Sequence, residues 1–526
     1  MRAHTVRGLL LVGALLVVAC GSPPVGAPAP GAVAIARSAH IHAPGGDWTR
    51  FDYNAQRSGV GPADTGIAAA DVGLLRRRVV PVAGTVDSSP IELHAIPIGS
   101  RSATQIGRRG AIPIGSRSAA RGAPRRDVIV LSTTYGRTIA LAAGTGAKLW
   151  EFVPGDIRAY EGSAQITNAS PVADPDRRHV YTASPDGMIH KLVLATGREV
   201  RAGQWPARIT FDATHEKITS ALNLSGSSVI AVTGGYLGDA PVYQGHVVEI
   251  NRTTGRISHV WNSLCSRRRR LIDPPRACAA SDSAIWSRAG AVVEPGSGRI
   301  LVATGNGPFD GATNWGDSVL ELTPRARLLH NWTPVDQAQR QSSDADVGST
   351  APALLPAVGR LRLVVQGGKS GKLALLNLGA LDGTGGRAGP RLGGELQEIA
   401  SPGSAEVMTA PAVWRHAGHT YVFVADSSGT GAYVLGRDHR LRVAWQDGAA
   451  GTSPVLAGGL LYVYDEVRGA LVIREPTSGR RLASLPAGTG HWNSPIAVGG
   501  RIILPEGNAN NPATSGVVDI YYLPGY

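Results

Sequence analysis

Val128-Ile129-Val130-Leu131, Thr138-Ile139-Ala140-Leu141 and Lys148-Leu149-Trp150 are three short apolar or β-branched runs separated by Gly-containing turns. The same order returns at Val180-Tyr181-Thr182, Ile189-His190-Lys191-Leu192 and Arg198-Glu199-Val200. It returns again at Leu460-Leu461-Tyr462-Val463, Ala470-Leu471-Val472-Ile473 and Arg481-Leu482-Ala483. Such runs read as β-strands, and no helical 3.6-residue pattern persists. The clear copies of the unit open on Ser89-Pro90, Ser170-Pro171, Ala351-Pro352, Ala410-Pro411, Ser453-Pro454 and Ser494-Pro495, with weaker ones at Ser220-Ala221 and Ile285-Trp286. One supersecondary unit is therefore repeated eight times, and no copy can bury its own apolar face alone. Radial repetition uses such units without leaving long bare edges. The expected fold is all-β: an eight-bladed β-propeller of four-stranded antiparallel blades.

Trp150, Trp261, Trp332 and Trp445 fall at equivalent places near the ends of four units. A buried Trp removes roughly 150–250 Å² from water, so four at one repeat position predict packing between blades. Leu74 to Val82 precedes the first full unit and is expected to add the outer strand of the last blade, closing the ring.

The N-terminus reads as an export signal. Arg2 and Arg7 precede an apolar stretch from Leu9 to Val18, too short for a permanent membrane span. Val17-Val18-Ala19-Cys20 resembles the lipobox of bacterial lipoproteins, which implies cleavage before Cys20, lipidation of its sulfur and an envelope protein held on a membrane. The organisation expected is a signal peptide at 1–19, a Pro/Ala/Gly tether at 20–46 and the propeller at 47–526. Within it, 95–126 reads as a disordered basic insertion, because Ala95 to Ala103 reappears identically as Ala111 to Ala119. In an exported chain the remaining cysteines, Cys265 and Cys278, read as one disulfide.

The net charge of +13 invites a nucleic-acid reading, but the arginines responsible lie in irregular segments without interleaved aromatics to stack bases. Solvated loops explain them, and no nucleic acid is expected as a partner. Hydrolase chemistry lacks a Gly-x-Ser-x-Gly elbow, and the sequence places no His as a credible base.

The unit resembles the pyrroloquinoline quinone (PQQ) repeat, and Asp47-Trp48-Thr49-Arg50-Phe51 with Gln56-Arg57-Ser58-Gly59 resembles that family's opening segment. The resemblance implies one of two functions. The first is a PQQ- and Ca²⁺-dependent dehydrogenase of an alcohol, sugar or polyol. In that reading Thr304-Gly305-Asn306-Gly307-Pro308 resembles the loop whose Asn gives Ca²⁺ an amide oxygen. Asp344 stands where the family carries the base that takes the alcohol proton, with Asp346 a near competitor. Lys369 matches the cation that contacts the quinone oxygens, Trp286 matches the ring-stacking residue, and Asp239 is the nearest match to the second metal ligand. The chain departs from the pattern in three ways. Asp239 stands for the usual Glu and one residue out of register, Trp286 needs a two-residue shift, and no adjacent cysteine pair exists to cover the quinone. Read singly, Asn306, Asp344 with Asp346, and Lys369 also fit turns between strands. The second function is a non-catalytic lipid-anchored scaffold whose loops bind an envelope protein or polysaccharide, similar to the propeller subunit of the outer-membrane β-barrel assembly machinery.

Overall fold

A computed structural model describes residues 46–99, 104–106, 123–382 and 392–525. The signal segment, Cys20 and the tether up to residue 45 lie outside these residues. The described chain forms eight antiparallel sheets. Blade 1 runs Ile91–Pro97, Arg125–Ser132, Thr138–Ala142 and Lys148–Val153. Blades 2 to 7 follow the same meander, and the first strands of neighbouring blades touch one another, as at Ala412–His416 against Val455–Ala457. First strands are therefore innermost, around the axis, and last strands face outward.

Blade 8 is completed by the other end of the chain. Arg76–Val82 pairs antiparallel with Gly516–Tyr522, from Arg76↔Tyr522 to Val82↔Gly516, and so supplies the outer strand expected from its place before the first unit.

The repeated tryptophans pack between blades. Trp150, 2% exposed, donates from Nε1 to the Leu194 carbonyl of blade 2 at 2.8 Å. Its ring lies against Gly197, where φ is +69° and an added Cβ would stand 2.5 Å from the indole. Trp445 repeats the arrangement on blade 7, donating to Pro476 O at 2.8 Å and covering Gly479. In these two seams the Thr196-Gly197 or Ser478-Gly479 turn of one unit is the seat for the Trp of the unit before, because only glycine leaves room there.

Two stretches depart from the sequence pattern. In blade 2, Arg198-Glu199-Val200 contributes only a bridge, Leu192↔Glu199, and the fourth strand is Ala207–Arg208 beyond it. The Glu199 carboxylate is held by His190 and Arg201, each at 2.6 Å. In the basic insertion, strand pairing runs further in than its 95–126 boundaries suggest. Pro97 faces Arg125, and the backbone of Thr104–Ile106 lies parallel to Lys148–Val153, while 100–103 and 107–122 lie outside the described residues. Cys265 and Cys278 are disulfide-bonded. Among the described residues no helix is long and apolar enough to cross a membrane.

Candidate functional site on the propeller axis

In each unit the chain returns from the outer edge of one blade to the axis just before the next first strand. The residues in that approach therefore converge from distant positions. Lys217 and Thr219 lead into blade 3, Trp286 and Arg288 into blade 4, Asp346 and Ser349 into blade 5, and His491 and Trp492 into blade 8. Together they line a cavity of about 200 Å³, to which Asp239, Asp344 and Lys369 also contribute.

At one end, Lys369 Nζ lies 2.7 Å from Asp344 Oδ1 and 2.8 Å from Asp346 Oδ2. Asn306 Nδ2 donates to the same Asp344 oxygen at 2.9 Å. Asp344 is in the left-handed region at φ +54°, and its side chain is 72% exposed. Asp346 is only 2% exposed, and burial pushes its carboxyl up to about 6 against the opposing pull of Lys369. Burial would lower Lys369, but Asp346 and Asp344 together override it and hold the ammonium above the ordinary lysine value. Two buried oxygens here, Asn306 Oδ1 and Asp346 Oδ1, have no hydrogen-bond partner among the described residues. Behind them, burial and the Asp346 charge push Asp317 up to about 7.

The floor is Trp286. Gly305 lies against it so closely that an added Cβ would stand 2.7 Å from the indole, and Tyr243 meets it edge-on at 6.1 Å between centroids. Lys217 Nζ lies 5.8 Å from the ring centres of both Trp286 and Tyr236. Lys217 is 7% exposed, and among the described residues no oxygen accepts a hydrogen bond from its ammonium. Burial, and then the charge of Arg288, bring it down to about 8.

At the other end, Asp87 is fully enclosed. Its Oδ1 receives the Arg288 guanidinium, and its Oδ2 receives Ala509 N at 2.7 Å and faces His491 Nδ1 at 2.8 Å. Burial would raise Asp87, but Arg288 and His491 outweigh it and hold the carboxyl below the ordinary range. His491 stacks on Trp492 at 3.8 Å, and Arg288 lies 5.6 Å from the Trp492 ring centre.

No protein-family model and no curated protein sequence matches the chain. Solved structures do. A quinohemoprotein alcohol dehydrogenase from Comamonas testosteroni superposes with a TM-score of 0.61 at 15% identity, over 91% of this chain and 81% of its own. One from Pseudomonas putida HK5 gives 0.62 at 13% identity over the same shares. A europium-containing methanol dehydrogenase gives 0.60 at 15% identity, over 91% of this chain and 98% of its own. The chain has the propeller fold of the PQQ-type dehydrogenases. At these identities the likeness establishes the fold, and function rests on the residues of the site.

Of the residues singled out in the sequence, Asp344, Lys369 and Asn306 form one hydrogen-bonded set beside Trp286. Asp239 lines the same cavity, but its Oδ1 accepts from Tyr243 OH at 2.8 Å, and among the described residues no hydrogen bond ties it to Asn306 or Asp344. Lys217, Arg288, Asp87, His491 and Trp492 were not singled out. The available signal was positional: each stands within a few residues of the start of a first strand.

A further acidic and histidine set, Glu92, His94 and Asp127, has ligand atoms within 4.8 Å of one another at the seam of blades 1 and 8. Arg501 already faces it, 2.7 Å from Asp127 and 3.4 Å from Glu92.

Proposed function

We propose that this protein is a PQQ-dependent dehydrogenase of alcohols, sugars or polyols, exported and lipid-anchored through Cys20 at the cell envelope. One observation carries the reading: the Lys217 ammonium, on a buried side chain, sits over the aromatic floor of the axial cavity, and among the described residues no carboxylate forms an ion pair with it. A buried charge held only by ring faces and by the more distant charges of Asp87 and Asp239 is costly, and a planar anion over Trp286 would offset it. PQQ is a planar quinone bearing carboxylates, and when bound it supplies a two-electron oxidant.

The orphaned Asn306 Oδ1 and the free oxygen of Asp344 suit a hard cation that seeks oxygen ligands, so these residues would hold Ca²⁺, with Asp239 on the cavity wall. Lys217 and Lys369 would offer ammonium groups to the carboxylates and quinone oxygens of PQQ, and Trp286, packed against Gly305, would supply the flat apolar surface that holds it.

Titration of the purified chain with PQQ in the presence of Ca²⁺, followed by tryptophan fluorescence, is expected to saturate with a Kd below about 10 µM, near −7 kcal/mol. Trp286→Ala is expected to weaken it at least tenfold. No saturable quenching in that range overturns the reading and returns the chain to the scaffold alternative. Affinity also carries a pH signature. The anion binds the protonated form of Lys217, whose ammonium titrates at about 8 in the free protein. Above that value binding must take up a proton, so Kd is expected to rise about tenfold per pH unit.

A further inference from the structure

We propose that His491, held by Asp87, is the group that takes the hydroxyl proton of the substrate, and that Asp344 acts by holding Lys369 and Asn306 in place. This assignment rests on the dehydrogenase reading above and departs from the role that the family resemblance gives Asp344.

The two groups differ in what their lone pairs already do. Asp344 Oδ1 accepts from both the Asn306 amide and the Lys369 ammonium, and the rest of its side chain faces solvent. Asp346 is likewise bound to Lys369. His491 is arranged differently. Its Nδ1 faces Asp87 Oδ2 at 2.8 Å, and Asp87 is an ionised carboxylate, so it can only accept. The proton of the neutral imidazole is thereby placed on Nδ1, and the lone pair is left on Nε2.

The ring cannot easily turn away. His491 N donates to Asn493 Oδ1 at 2.9 Å, Asn493 Nδ2 donates to Val86 O at 2.7 Å, and the imidazole stacks on Trp492. Nε2 has a single protein neighbour among the described residues, the Asn510 amide at 3.3 Å, and Asn510 is itself exposed on the cavity rim. A substrate hydroxyl that replaces this long contact meets a base already set in the correct tautomer. The charged groups in contact with His491 are Asp87 and Arg288, the latter 3.4 Å from Nδ1. Arg288 engages Asp87 Oδ1, which leaves Oδ2 to stabilise the imidazolium as it forms. This is the division of labour of a carboxylate–histidine pair, with orientation on one nitrogen and proton transfer on the other.

The step balances. The O–H bond breaks and its proton passes to His491 Nε2. The C–H bond breaks and its hydrogen leaves with the electron pair, as hydride, to the quinone. The C–O bond becomes C=O, so the alcohol is oxidised by two electrons and the quinone is reduced by two.

The test uses the full chain loaded with PQQ and Ca²⁺, with PQQ affinity read by fluorescence and turnover by dye reduction on a panel of alcohols and sugars. His491→Gln is expected to keep PQQ affinity within about twofold and to lose 10²- to 10⁴-fold in kcat, the usual contribution of a positioned base. His491→Ala is expected to regain turnover with added imidazole, in a concentration-dependent way that a merely structural loss would not show. Wild-type turnover in His491→Gln overturns the proposal. So does a loss in His491→Ala that imidazole leaves unchanged. A wild-type chain that binds no PQQ refutes the dehydrogenase reading instead, and the fluorescence titration reports that separately.

Discussion

Lys217→Met is expected to be more stable than the wild-type chain at pH 7 and to bind a planar anion at least 30-fold more weakly. Both effects come from one buried charge. In the folded state burial and Arg288 bring the ammonium from 10.5 down to about 8, so between these values the unfolded chain holds more protons than the folded one. Stability contributed by this group therefore rises as pH climbs from about 8 to 10.5 and is lowest below 8. The size of the penalty at pH 7 is at most about 3 kcal/mol. Methionine fills similar volume without charge and removes it. The affinity loss follows from removing one partner of an enclosed charge pair, worth about 2–5 kcal/mol, and 2 kcal/mol is about 30-fold. Chemical denaturation at pH 7 and pH 10 checks the first half, because the advantage of Lys217→Met should shrink at the higher pH. A variant that is less stable than wild type at pH 7 would show that Lys217 has a protein partner, and that the cavity does not await an anion.

Trp150→Ala is expected to cost about 3–5 kcal/mol, the range for deleting a fully buried large aromatic. The indole joins blades 1 and 2 twice, through its apolar contact with the turn at Gly197 and through the hydrogen bond to Leu194 O. Its loss leaves a cavity and a buried carbonyl without its donor. Gly197→Ala probes the same seam from the opposite side: φ of +69° is unfavourable for alanine, and the new methyl would stand 2.5 Å from the ring. A urea midpoint for Trp150→Ala within error of wild type would mean that the seam is held elsewhere.

The blade architecture was legible in the sequence because each unit repeats its own local signals. The Ser-Pro and Ala-Pro starts mark innermost strands, and the Thr-Gly turns mark the seats of the tryptophans. Arg76–Val82 was recognisable as a strand without a partner of its own. What escaped was of two kinds. The run around Glu199 forms only a single bridge, with its carboxylate shared between His190 and Arg201, a tertiary arrangement invisible in a run of three residues. The axial site escaped more fully. It draws single residues from approaches as far apart as Asp87 and His491, so it has no linear motif. The positions taken from the resemblance cluster in blades 3 to 5 and their loops, and they describe one end of the cavity. Lys217 and the Asp87–His491 pair, on which the proposed ligand binding and proton transfer rest, became visible only when the ring brought them together.

The strand Arg76–Val82 is synthesised before the strands of the eight units and must wait for its place. Its partners, Gly516 to Tyr522, follow only after all the other blades. Until then blade 8 offers an open edge and the early segment an unmatched one, and either can pair with the wrong neighbour. The entropy of closing so long a loop grows only slowly with length, about 0.6 kcal/mol per doubling, so the thermodynamic burden is modest and the exposure is kinetic. The clasp makes an intact C-terminus the condition for completing the ring, and with it the cavity to which blades 3, 4, 5 and 8 all contribute.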